Sequence, residues 1–191
     1  MRGWLAKGCL SATLLGAAIG LAVAVVAVGG EAALSTRAFC TSCHSMTYPA
    51  KELAKSAHYG RFGADPQCKD CHIPQGMENL HLAVRAHLVD GARDLFREMT
   101  NDYSDIGRFN ERRLQMAHEA RMQMKRLDSL TCRRCHRDPR PVAPEGKLAH
   151  QRLSSAGATC IDCHQNLVHK AVPETDLEKS LIAGEMVLKE D

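Results

Sequence analysis

Residues 40–72 read CTSCHSMTYPAKELAKSAHYGRFGADPQCKDCH, and residues 132–164 read CRRCHRDPRPVAPEGKLAHQRLSSAGATCIDCH. Each stretch is 33 residues long and both opens and closes on Cys-x-x-Cys-His. In each, a histidine preceded by alanine stands 14 residues after the first motif histidine: His58 after His44, His150 after His136. The closing segments also match, Gln67-Cys68-Lys69-Asp70-Cys71-His72 beside Thr159-Cys160-Ile161-Asp162-Cys163-His164. Spacing this regular marks a duplicated unit. The four motifs take up Cys40, Cys43, Cys68, Cys71, Cys132, Cys135, Cys160 and Cys163, eight of the nine cysteines.

Cys-x-x-Cys-His is the attachment pattern of c-type haem. Two thiols add to the two vinyl groups of one porphyrin, and the adjacent imidazole is close enough to bind its iron. A zinc half-site or a redox dithiol also uses a spaced cysteine pair. Neither requires histidine directly after the second cysteine, and here all four copies have it. The expectation is four covalently bound haem c groups. Composition agrees: one Trp, three Tyr and four Phe give few large side chains for an apolar core, and thin cores need a staple or a cofactor. The net charge of +3 is weak, and no basic stripe interleaved with aromatics speaks for nucleic acid.

The repeat gives His58 and His150 equivalent places and makes both candidate distal iron ligands. The plainer alternative is a solvated loop histidine. His169, five residues after His164 where the first half carries Met77, is a third candidate. Iron held by two histidines is low-spin and closed to substrate, which suits electron transfer. With the motif ligands His44, His72, His136 and His164, three distal histidines serve three haems. The first haem is left without one. Met46, two residues after His44, has Asp138 at its matching position and is a candidate axial ligand, so Met46 or His44 binds the first iron. A thioether there raises the potential, although a lone methionine is equally a packing residue. His81, His87 and His118 have no assigned partner.

Residues 8–30 carry no charge. As a helix they span roughly 30 Å or more, the thickness of the hydrocarbon layer. Arg2 and Lys7 precede them, which keeps residues 1–7 in the cytoplasm and exports the rest. Ala32 and Ala33 offer a cleavage site, but cleavable apolar regions run to about 7–15 residues, so retention as an anchor is the expectation. Cys9 reads as a small apolar residue of that helix. The division that follows is an N-terminus (1–7), a transmembrane anchor (8–30), a first dihaem half (31–77), a helical connector (78–128), a second dihaem half (129–173) and a C-terminal tail (174–191). In the connector, Leu80, Val84, Leu88 and Leu95 share one helical face, and a second helix is expected over 110–125 with Leu114, Ala117, Arg121 and Met124 in step. The fold class is all-α and loop-rich, with one N-terminal transmembrane helix and two pseudo-repeated dihaem halves. Strands should be nearly absent.

The anchor, the four motifs, the Cys40–Met46 form Cys-x-x-Cys-His-x-Met and the ending Thr159-Cys-Ile-Asp-Cys-His resemble the NapC/NirT family of membrane-anchored tetrahaem cytochromes. That resemblance implies oxidation of membrane quinol, usually menaquinol, and delivery of electrons to a periplasmic reductase such as nitrate or nitrite reductase. It implies a domain on the periplasmic face of the cytoplasmic membrane, quinol-dehydrogenase activity without reduction of a terminal substrate, and either a homo-oligomer or a complex with a reductase subunit. It places the quinol beside the first haem with an acidic residue that precedes an aliphatic–aromatic pair. Here that is Asp94, before Leu95-Phe96, as proton acceptor, with Asp90 as rival. Relatives often carry a lysine about two turns earlier; this chain offers Arg85 and His87 as quinol contacts instead. The resemblance also pairs His58 with the fourth haem, His150 with the third and His169 with the second. A wire between protein partners with no quinone site is the alternative function.

Overall fold

The computed structural model describes residues 2–153 and 157–190. Met1 of the expected cytoplasmic segment, residues 154–156 of the second half and Asp191 of the tail lie outside the described residues. Helix α1 runs Arg2–Leu34, and its stretch Cys9–Leu34 has a mean hydropathy of 2.3. That is long and apolar enough to cross a membrane, and it continues four residues past the expected end at 30. Ser35 closes it with a hydroxyl bond to Glu31, and Thr36 caps the next helix by accepting from the Phe39 N–H.

The remaining helices, all but α7 short, are α2 (Arg37–Cys40), α3 (Thr47–Leu53), α4 (Cys68–His72), α5 (Leu80–Arg85), α6 (Gly91–Thr100), α7 (Ile106–Arg126), α8 (Leu130–Cys135), α9 (Pro144–Leu153), α10 (Cys160–Cys163) and α11 (Leu177–Ala183). A π-helical turn, Ala86–Asp90, joins α5 to α6. Helix α7 contains the expected second connector helix, 110–125, and extends it at the N-terminal end. Asp105 sets that start by accepting from the Gly107 and Arg108 N–H groups. Among the described residues, extended pairing is confined to one antiparallel bridge, Thr175 with Leu188. It folds the C-terminal segment back, so that Leu177 of α11 packs with Met122 of α7 and Ile161 of α10.

The apolar core is thin. Leu53, Phe109, Met122, Ile161 and Leu177 are its large members. Polar clasps do much of the joining. Arg113 of α7, with its side chain only 7% exposed, makes a bidentate pair with Glu52 of α3 and lies over the Phe109 ring. Lys125 of α7, equally buried, bridges Asp162 of α10 and Glu178 of α11. Ser129, fully buried and in the left-handed region at φ 50°, takes the Ile161 N–H on its hydroxyl. That one turn ties the end of α7 and the start of α8 to α10.

The four apolar residues of the connector face differ in burial. Leu80 and Val84 are half-buried, but Leu88 and Leu95 of the same face are exposed. Of the connector helices, α5 packs against α1; among the described residues, the apolar face of α6 stays exposed.

Candidate functional site

The motif helices owe their shape to the residues between the cysteines. In α4 and α10 the third helical residue is aspartate, and it reaches back to the residue before the first cysteine. Asp70 accepts from the Gln67 N–H at 2.7 Å, and Asp162 accepts from the Thr159 N–H at 2.6 Å. Both are reciprocal capping boxes. This explains the shared Asp-Cys-His ending. Each box starts a one-turn helix that puts both thiols and the following imidazole on neighbouring positions.

Packing then lines the motifs up. Helix α4 lies against α2 on one side and α8 on the other. The Cys40 and Cys68 thiols hydrogen-bond, which raises the Cys40 thiol well above its ordinary value and lowers Cys68 to about 6. Burial pushes Cys71 up to about 11, and the neighbouring Cys132 and Cys135 add to it. Burial, with Cys160 beside it, raises Cys132. The four motifs thus follow one another in chain order, and no two of their cysteines are joined as a disulfide.

Three motif histidines each face a second histidine. The ring centres of His72 and His169 lie 6.2 Å apart, those of His58 and His136 6.3 Å, and those of His150 and His164 6.0 Å. A fit test follows from bond lengths. Two metal–nitrogen bonds of about 2.0 Å separate the facing nitrogens by about 4 Å, and with each ring centre about 1 Å further back the centres stand about 6 Å apart. The interplanar angles of 30°, 81° and 41° correspond to different rotations about a shared axis. Buried groups support the same fit. Arg121 is bonded only to the Pro173 carbonyl and Asn166, with no carboxylate at salt-bridge distance among the described residues. Such a cation suits an acidic cofactor substituent. Among the described residues, the buried His58 and His118 Nδ1 atoms also have no hydrogen-bond partner.

The pairs differ from the expected ones in two of three cases. His169 faces the second motif as expected. His58 faces the third motif rather than the fourth, and His150 the fourth rather than the third. The reason is packing. Helix α4 against α8 brings the first half onto the third motif, within reach of His58. Helix α9 directs the His150 ring, whose Nδ1 donates to the Gly146 carbonyl at 2.8 Å, towards α10 just beyond it. His58 and His150 match in sequence but not in partner.

In one of the pairs, His72 with His169, burial favours the neutral imidazole, the form that binds metal. Burial, then His169, lowers His72 to about 4. Burial also lowers His169, outweighing Glu52. Glu52 Oε2 stands 3.6 Å from His169 Nδ1 and accepts the Lys170 N–H at 3.1 Å. Sequence reading gave no signal for Glu52, because its contact spans more than a hundred residues.

The first motif is different. His44 has no facing histidine; its Nε2 meets the Tyr48 hydroxyl at 3.1 Å. Met46 is exposed. Between them, buried Ser45 donates its N–H and its hydroxyl to Glu98 of α6. Tyr48 and Glu98 were both missed by sequence reading. On the same helix as Glu98, one turn earlier, Asp94 keeps 66% of its side chain exposed. The protein mass around it raises its carboxyl above the ordinary range despite ion pairs with Arg93 at 3.8 Å and Arg97 at 3.9 Å. Asp90 is more enclosed and already engaged by Gln123, Arg93 and Arg85. His87 turns Nδ1 to the Ala83 carbonyl of its own helix at 3.0 Å. Arg97 completes the cluster with a bidentate bond to Glu119 of α7.

The NapC/NirT cytochrome c family, N-terminal region, matches residues 5–175. A probable tetraheme cytochrome c-type protein of Nitrosomonas europaea is 58% identical over 185 residues, covering 97% of this chain and 79% of the relative. NapC of Haemophilus influenzae is 33% identical over 172 residues, covering 80% and 82% of the two chains. TorY of the same species is 40% identical over 140 residues, covering 71% of this chain, which spans 37% of that relative. No solved structure matches. With the match running from the apolar helix through the fourth motif, the chain belongs to the NapC/NirT cytochrome c family, and haem c is its cofactor.

Proposed function

We propose that the protein is a membrane-anchored tetrahaem cytochrome that takes electrons from quinol at its first motif and passes them, motif by motif, to a reductase outside the cytoplasmic membrane. Helix α1 is the anchor, with the haem domain on the periplasmic side. Cys40 and Cys43, Cys68 and Cys71, Cys132 and Cys135, and Cys160 and Cys163 hold one haem each. The iron ligand pairs are His72 with His169, His136 with His58 and His164 with His150; Met46 or His44 serves the first. The observation that carries the reading is the set of three imidazole pairs at 6.0–6.3 Å, strung in order behind a first motif that has none.

The haems supply one-electron redox chemistry when bound. Quinol oxidation also releases two protons, and the chain's own residues have to take them. Asp94 suits this role: it is accessible, and its raised carboxyl affinity favours holding a proton. Arg93 and Arg97 hold that carboxylate in place. Asp90 is less available because three partners already fill it. His87, with Nδ1 committed to its helix, presents Nε2 as a hydrogen-bond partner for a quinol hydroxyl, and exposed Arg85 stands beside it. Reduction of the full-length holoprotein by a menaquinol analogue tests the site. Asp94→Asn should slow it while leaving reduction by dithionite intact. Normal quinol rates in both Asp94→Asn and His87→Ala would remove the site from this helix.

A further inference from the structure

Helix α6 has two unlike sides. Its charged side is committed: Glu98 holds Ser45 of the first motif, and Arg97 holds Glu119 of α7. At about 100° per residue, Ala92, Leu95, Phe96 and Met99 fall together on the other side, an arc wide enough to bury a helix face. Leu88 and Val89 of the π turn lead into it. Leu95, Phe96 and Met99 are nonetheless 55%, 66% and 78% exposed. An apolar stripe of this kind on an otherwise polar domain has an occupant.

We infer that α6 is an interfacial helix whose apolar face beds in the outer leaflet of the bilayer that α1 crosses. The inference rests on the reading of α1 as the anchor. Two observations select lipid over a protein partner. The stripe is continuous with the spanning segment, because α5, which leads through the π turn into α6, packs directly on α1. Burial on α1 begins only near Ala27 and Gly30, so the contact lies at the outer end of the span. The flanking chemistry also fits. Arg85, its side chain 64% exposed and in only a long contact of 3.9 Å with Asp90, borders the π turn where a long cationic side chain reaches lipid phosphates while its stem stays apolar. A helix seated this way fixes the domain at a second point besides α1. Through Glu98 it sets the first motif about one helix diameter above the acyl chains, roughly 10 Å. A quinol ring leaving the bilayer then meets Asp94 from the flank of this helix.

The test uses the full-length holoprotein in phosphatidylcholine–phosphatidylglycerol nanodiscs. Phe96 is replaced by photoreactive p-benzoylphenylalanine, with Met99 as a second position and exposed Glu111 of α7 as reference. Mass spectrometry after illumination should show lipid adducts at 96 and 99 and their loss at 111. Adducts to a second copy of the chain, or lipid yields at 96 and 99 no higher than at 111, would overturn the inference. This readout needs no quinol, so a failed seat and a failed quinol site are told apart.

Discussion

Glu52 offers a quantitative test of how the protein tunes one haem. Its carboxylate stands 3.6 Å from His169 Nδ1, too long for a formed hydrogen bond but close enough to act as a charge. Carboxylates behind metal-bound histidines typically change metal affinity by about 10–100-fold. The distance argues for the low end, about tenfold or about 1.4 kcal/mol. A negative charge favours the ferric form, so the Glu52→Gln loss falls mainly on that state. For a one-electron couple, tenfold corresponds to about 59 mV. The midpoint of the second haem should therefore rise by about 60 mV. Arg113→Met should do the opposite, because it removes the buried cation that faces the same carboxylate. Redox titration of the visible spectrum, with low-spin character followed in parallel, reads both. Midpoints unmoved in Glu52→Gln with the low-spin spectrum intact would refute the assignment of Glu52. So would a shift of the same sign in both variants.

Replacing Ser129 with alanine removes the hydroxyl that accepts the buried Ile161 N–H and should cost about 1–3 kcal/mol, read by thermal unfolding of the holoprotein. His169→Ala should convert one haem to a high-spin signal in the ferric spectrum, and His58→Ala should do the same through the third motif; an unchanged spectrum in either case removes that residue from the ligand set. The quinol reaction should accelerate as pH rises through the raised carboxyl of Asp94, since only the anion accepts a proton, and Asp94→Asn should flatten that limb. Glu119 is pushed up by burial but held below the ordinary carboxylate range by Arg97 and Arg93. A depressed carboxyl stabilises the fold above its unfolded value of about 4.3, and that contribution fades as pH falls through the lower folded value. Glu119→Gln should therefore lose stability at neutral pH and converge with the wild type in acid, measured by denaturant unfolding against pH.

Much of this was legible because covalent chemistry writes itself into sequence. Cys-x-x-Cys-His needs adjacency, so Cys40 to His164 announce the cofactor without a fold. The uncharged run before Glu31 announces a span for the same reason: a bilayer fixes its length. His58 and His150 stood out by the spacing of the repeat and His169 by its place five residues after His164, and each faces a motif histidine. Their partners were not legible, since pairing depends on which helices pack, and α4 against α8 carries His58 to the other half. Glu52, Glu98 and Tyr48 were invisible. Glu52 and Glu98 act across contacts 53 or more residues apart, and Tyr48 has no motif to mark it. The exposure of Leu88 and Leu95 was equally hidden: helical periodicity identifies an apolar face but not what covers it.

The crowding of unlike motifs bears on how the protein must be assembled. The Cys40 and Cys68 thiols lie against each other, and their hydrogen bond lowers Cys68 below its ordinary value, which favours its reactive thiolate. An oxidant reaching the naked polypeptide would join Cys40 to Cys68, two sulfurs meant for different porphyrins, and so block both sites at once. The expected consequence is that haem attachment succeeds only while Cys40 and Cys68 are kept reduced. Once each thioether forms, the hazard disappears with the thiols themselves.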